Sequence, residues 1–251
     1  MVKAIKITLL SIVCIALVLF MVTLINNGFK FENIKPKLIF EETYEITDIN
    51  KIDVFVKSSD INIFESEDDK IKVEIHGSNK DRVIVDNKDG SLSIDVKRKK
   101  KVCIGICYGN KINIYVPKEY EGAFNIESTS GDISSKLQSY NDYKIKVTSG
   151  DIKLNNVKNL SGKSTSGDVE INNISESINF VSTSGDYDIN YFEVNKDSSI
   201  KVTSGDVEID TLKNAYVNAS VKSGDIDIKK NDRYAEYELK IKTTSGDIEV
   251  N

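Results

Sequence analysis

One tetrapeptide keeps returning through the second half of this 251-residue chain. Thr-Ser-Gly-Asp occurs six times, ending at Asp132, Asp151, Asp168, Asp186, Asp206 and Asp247. A seventh copy is altered to Lys222-Ser223-Gly224-Asp225. The glycines are Gly131, Gly150, Gly167, Gly185, Gly205, Gly224 and Gly246, spaced by 19, 17, 18, 20, 19 and 22 residues. A unit this short cannot bury its own apolar face, so neighbouring units must stack. The spacing therefore predicts a solenoid.

Within each unit the apolar residues alternate. Two positions after the glycine stand Ile133, Ile152, Val169, Tyr187, Val207, Ile226 and Ile248. Four positions after it, every copy but Ser135 is apolar. The alternation is looser before the glycine. A period of two belongs to strands, and the 3.6-residue period of helices is absent from this region. Each coil should run strand, Ser-Gly turn, strand, connector. Glycine supplies a backbone angle that a Cβ penalises. The flanking serine and aspartate can bond the turn backbone.

The outward positions carry charge. Three after the glycine they are mostly acidic: Glu170, Asp188, Glu208, Asp227 and Glu249, with Lys153 and Ser134 as exceptions. Four before it they are mostly basic: Lys146, Lys163, Lys201 and Lys242.

Residues 46–120 share this style less regularly. Lys57-Ser58-Ser59-Asp60 reads as a degenerate copy with serine for glycine. Strands follow at 71–77, 82–87, 91–97 and 112–117, and Asp89-Gly90 marks a hairpin. This region should cap the first coil and hide its edge. At the other end the chain stops at Asn251 directly after a strand. That predicts an uncapped carboxyl-terminal coil, open to strand addition unless Glu249 and the connector near Arg233–Tyr237 blunt it.

Ile7 to Ile25 is a 19-residue run without charge, long enough to cross a bilayer as a helix. Lys3 and Lys6 precede it and favour a cytoplasmic amino terminus, although Lys30, Lys35 and Lys37 follow it. A cleavable signal peptide would have a shorter apolar core and a small-residue cleavage site, which this run lacks. The expected organisation is a cytoplasmic tail and transmembrane anchor (1–25), a stalk (26–45), the irregular β region (46–120) and the seven-copy solenoid (121–251). The expected location is a bacterial cell membrane, with the carboxyl-terminal domain extracytoplasmic. Cys103 and Cys107 would then admit a local disulfide or remain free thiols, with a zinc site a third and weaker alternative.

These pieces together resemble a bacterial family of β-strand-repeat "putative adhesin" proteins of unknown function. The resemblance rests on the degenerate turn at Ser58–Ile63, the strand Ile112–Pro117 and the seven copies in register. It covers about residues 46–251. It implies an all-β fold, a single-stranded β-helix of about 19-residue coils, at the cell envelope. Some members of that family are similar to accessory proteins encoded with envelope-stress signalling systems.

The chemistry expected of such a chain is limited. A formal net charge of -5 argues against a nucleic-acid partner. With three arginines and His76 as the one histidine, no catalytic set or cofactor motif appears. The aspartates Asp132, Asp151, Asp168, Asp186, Asp206, Asp225 and Asp247 recur once per coil, as turn residues would. A ladder of them could bind divalent cations, but turn bonding is the simpler role. The basic run Lys97–Lys101 could touch anionic lipid or wall polymer. The leading expectation is a non-catalytic, adhesin-like module that binds cell-wall polymer or an envelope protein. Alternatives are a carbohydrate-active enzyme and a divalent-cation-binding scaffold.

Overall fold

The structure, a computed structural model, describes residues 13–20, 22, 36–78, 81–97 and 109–251. Most of the expected anchor, the stalk up to residue 35, residues 98–101 of the basic run, and Cys103 and Cys107 lie outside the described residues. Residues 13–20 and 22 are helical. Among the described residues no helix is long and apolar enough to cross a membrane. The chain divides into two compact units, one of residues 1–35 and 101–108, the other of Pro36–Lys100 and Gly109–Asn251.

The second unit is all β, as the alternation requires. Each coil crosses the sheet twice, once on each side of its turn. The face before the turn runs in space through Arg82–Lys88, Ser91–Lys97, the first half of Lys51–Ser66, Ala123–Ser130 and Asn141–Ser149. It continues through the later halves of Ile152–Ser164 and Val169–Ser184, then Ser198–Ser204, Tyr237–Ser245 and Ala215–Ser220. The face after the turn begins with Lys37–Glu45, Lys70–Gly77, Asn110–Pro117 and the second half of Lys51–Ser66. Ile133–Ser135 and the early halves of Ile152–Ser164 and Val169–Ser184 follow. Tyr187–Glu193, Val207–Ile209, Ile248–Val250 and Ile226–Ile228 complete it. Stacked coils pair in parallel, and the pairs that close the amino-terminal end are antiparallel. There Asp89 and Gly90, with φ of 51° and 77°, make the two-residue hairpin.

The inward row after the turn is the core. Ile61, Ile133, Ile152, Val169, Tyr187, Val207 and Ile248 are each 1% exposed or less. Burying each such side chain contributes about 1.5–3 kcal/mol, much of it offset by chain ordering. The turn glycines let the coils approach closely. Gly167 has φ +117°, and a Cβ there would sit 2.1 Å from the Gly150 carbonyl oxygen. Gly162 is a second kind of close approach, with its Cβ position 1.8 Å from the Ile145 oxygen. Its register neighbour on the other side is the wholly buried Phe180.

Stack order departs from chain order at both ends. Lys51–Ser66, the first coil in the chain, lies between the strands Ser91–Lys97 and Asn110–Pro117 on one side and the Gly131 coil on the other. Ser58 pairs with Ser130, so the degenerate copy is in register. Its strand runs straight through Ser59, which keeps a negative φ and needs no glycine. At the other end the last segment, 237–250, wedges between the Gly205 coil and the Gly224 coil. The expected open edge at Asn251 is therefore wrong. The terminal coil is 215–228, and Asn251 is held by a bond from its N–H to the Ile209 oxygen. The 22-residue spacing reflects a connector that must carry the chain back inside the stack. A further correction concerns the stalk: Lys37–Glu45 pairs with Lys70–Gly77, so the folded unit begins at Pro36 rather than at 46.

Candidate interaction surface

The seven turn aspartates form one ladder, joined at its start by Asp60. Each Oδ1 but that of Asp225 accepts the backbone N–H of the next aspartate in the stack. Asp60 takes Asp132 at 3.3 Å, Asp132 takes Asp151 at 3.0 Å, and Asp151 takes Asp168 at 3.1 Å. Asp168 takes Asp186 at 3.0 Å, Asp186 takes Asp206 at 2.9 Å, and Asp206 takes Asp247 at 2.7 Å. The last rung is Asp247 with Asp225, at 2.8 Å. These are charge-assisted bonds to amides that the turn would otherwise leave open. Among the described residues no group of three or more His, Cys, Asp or Glu is placed to hold a metal ion.

The register turns the charge pattern into two continuous rows. On one face Lys153, Glu170, Asp188, Glu208, Glu249 and Asp227 are successive neighbours. Lys153 bonds Glu170 at 2.6 Å, the first of five successive carboxylates. Loss of hydration, then the charges of Asp210, Glu249 and Asp188, raise the Glu208 carboxyl above its ordinary value. On the other face Lys146, Lys163, Val181, Lys201 and Lys242 line up, with Val181 49% exposed. The molecule thus has an acidic and a basic outer face, both periodic.

A recess of about 240 Å³ sits over the early turns. Its three carboxylates are Asp60, Asp132 and Asp151, and its ammonium groups belong to Lys111 and Lys153. All three carboxylates hold ladder amides, and Lys153 is engaged by Glu170.

Two clusters escaped the sequence reading. Asn190, Asn172 and Asn155 pass amide bonds along one corner, at 2.9 and 2.8 Å, with Asn173 and Asn156 parallel at 2.8 Å. The signal was the repeated Asn-Asn five and six residues after Gly150 and Gly167. The other is Asp53, nearly buried, which accepts from Ser91 at 2.5 Å, Asn125 at 2.8 Å and Lys51 at 2.9 Å. Burial alone would raise its carboxyl, but these three bonds and the Lys51 charge outweigh it and hold it low. No spacing in the sequence joins residues 38 and 72 positions apart.

Fold and surface together define a β-solenoid of Ser-Gly-Asp coils with a repetitive polar exterior. The chain belongs to the family described as Toastrack DUF4097, whose model matches residues 49–251. Several solved structures are similar to it. A "putative cell adhesion protein" of Clostridium sporogenes is 17% identical, with 86% of this chain and 99% of that one covered, at a TM-score of 0.39. A "putative lipid binding protein" of Parabacteroides distasonis is 20% identical, covering 87% and 98%, at 0.47. A "putative adhesin" of Bacteroides fragilis is 17% identical, covering 85% and 97%, at 0.38. No curated protein matches the sequence.

Proposed function

We propose that this chain is a non-catalytic, adhesin-like module of the bacterial cell envelope, anchored by residues 7–25 with its solenoid outside the membrane. One observation carries the reading: every carboxylate of the turn ladder up to Asp247 is spent on a backbone amide, and the charges around it repeat from coil to coil. Such a surface suits a repeating or extended partner better than a single scissile bond. The descriptions of the similar structures concern adhesion and lipid binding, which is in keeping with an envelope role. The apolar, uncharged run supports the anchor.

Co-sedimentation of the full-length protein with purified wall sacculi, with and without calcium, tests the reading. Saturable pelleting is expected, insensitive to calcium because the ladder carboxylates already hold amides. Absence of pelleting in both conditions would rule out direct wall attachment. For the anchor, the chain should stay in the membrane fraction through alkaline carbonate extraction.

A further inference from the structure

We infer that the open end of the stack, the coil around Gly224, is a strand-addition site for an extended segment of another protein with an apolar–basic–apolar alternation. The site follows from the fold and holds whichever compartment the chain occupies.

Three bonds seat each coil on its neighbour. The turn glycine donates its N–H to the serine carbonyl of the next coil, as Gly131 does to Ser149 at 3.2 Å and Gly246 to Ser223 at 3.0 Å. The apolar residue two positions on donates to the next aspartate carbonyl, as Val207 does to Asp247 at 2.9 Å and Ile248 to Asp225 at 3.0 Å. The aspartate carboxylate then receives the next aspartate N–H. On the terminal coil all three places stand open among the described residues: the N–H groups of Gly224 and Ile226, and the Asp225 carboxylate. Ile226–Ile228 pairs only with Ile248–Val250. Because Ile248 supplies the donor to Asp225, the Ile226 and Ile228 amides point the other way, to the free edge. The apolar row is cut off at the same place. Ile226 is 43% exposed, whereas its neighbour Ile248 is 1% exposed.

Charge selects the occupant. The acidic row ends at the exposed Asp227 with no cation opposite it among the described residues, since Lys229 leans to Glu249 at 3.5 Å. At the row's other end a lysine fills the corresponding place, Lys153 on Glu170. A strand that continues the stack would place a basic residue against Asp227 and apolar residues over Ile226 and Ile228. The companion face is filled at one edge position. Asn231 takes the Val217 N–H at 2.9 Å and donates to the Val217 oxygen at 3.0 Å, imitating a strand. Nor can the opposite end of a second copy supply the strand in the same sense. That end closes with the antiparallel strands Arg82–Lys88 and Lys37–Glu45.

The chain's own sequence provides the probes. A labelled peptide of residues Thr148–Asn155 carries lysine at the outward position, and one of Thr244–Asn251 carries glutamate there. Each is titrated onto the full-length protein in a mild non-ionic detergent, followed by fluorescence anisotropy and then carbodiimide coupling with mass-spectrometric mapping. The lysine peptide should bind saturably, about tenfold tighter than the glutamate peptide, since one ion pair replaces one like-charge contact. Its lysine should couple to Asp227. Ile228→Pro, which removes an edge-facing N–H together with the Ile228 side chain, should abolish binding, and Asp227→Lys should reverse the preference between the peptides. Equal binding of both peptides, no binding at millimolar concentration, or coupling to other carboxylates would overturn the assignment.

Discussion

Asp225 donates its backbone N–H to Oδ1 of Asp247 across 2.8 Å, although Asp247 lies 22 residues later in the chain. In every other rung the acceptor comes earlier in the sequence and the donor later. The reversal marks the place where the last coil slips behind the one before it. The terminal coil therefore owes its seat to the segment that ends the chain.

Deleting residues 237–251 should be far worse than trimming an end coil. It would expose both Ile200, Val202, Val207 and Ile209 and the inner side of 215–228, which has no other strand to rest on. Hydrogen exchange should show loss of protection across the whole of 198–228. Loss confined to a few residues near the truncation would contradict the wedge arrangement.

Gly167→Ala should cost more than about 4 kcal/mol, because the methyl would meet the Gly150 oxygen and the backbone angle is closed to alanine. Gly109→Ala, with no atom within 4 Å of the added Cβ, should stay within about 0.5 kcal/mol. Urea unfolding of the two variants gives the comparison.

Asp168→Ala strips the acceptor from the Asp186 amide and should cost about 1–3 kcal/mol. Asp225→Ala removes a carboxylate that receives no amide and should change stability by less than about 0.5 kcal/mol. If both variants lost equal stability in the same unfolding assay, the ladder bonds would not explain the aspartates.

Two carboxylates should give opposite pH dependence. Asp53 is held below its ordinary 3.8, so it stabilises the fold above that value and the contribution is lost as pH falls below it. Asp53→Asn should lower Tm at pH 7 and matter little near the acid end. Glu208 is raised above its ordinary 4.5, so the folded state favours its protonated form and stability falls as pH climbs through that region. Glu208→Gln should raise Tm at pH 7, and the gain should shrink in about 0.5 M salt, which screens the row. Thermal melts across pH 3–7 separate the two signs.

Residues 121–251 were largely legible because a stacked coil repeats its own demands. The same turn glycine, the same inward apolar positions and the same ladder aspartate recur, so seven copies vote on one geometry. Ser59 was legible for the same reason, through its neighbours Lys57, Ser58 and Asp60. Asp53 with Ser91 and Asn125 was not legible, because nothing local announces a contact made by three separate coils.

Strand identity, the turns and the opposed acidic and basic rows were determined by the sequence, since side-chain alternation and glycine act within a few residues. The order of the coils was decided only in the tertiary structure. Every parallel edge here offers the same N–H and carbonyl pattern, so the local motif cannot say which edge a coil will occupy. Connector length and the burial of Ile248 and Val250 between two neighbours settle that choice, and they place Asn251 inside the stack and Gly224 at its end.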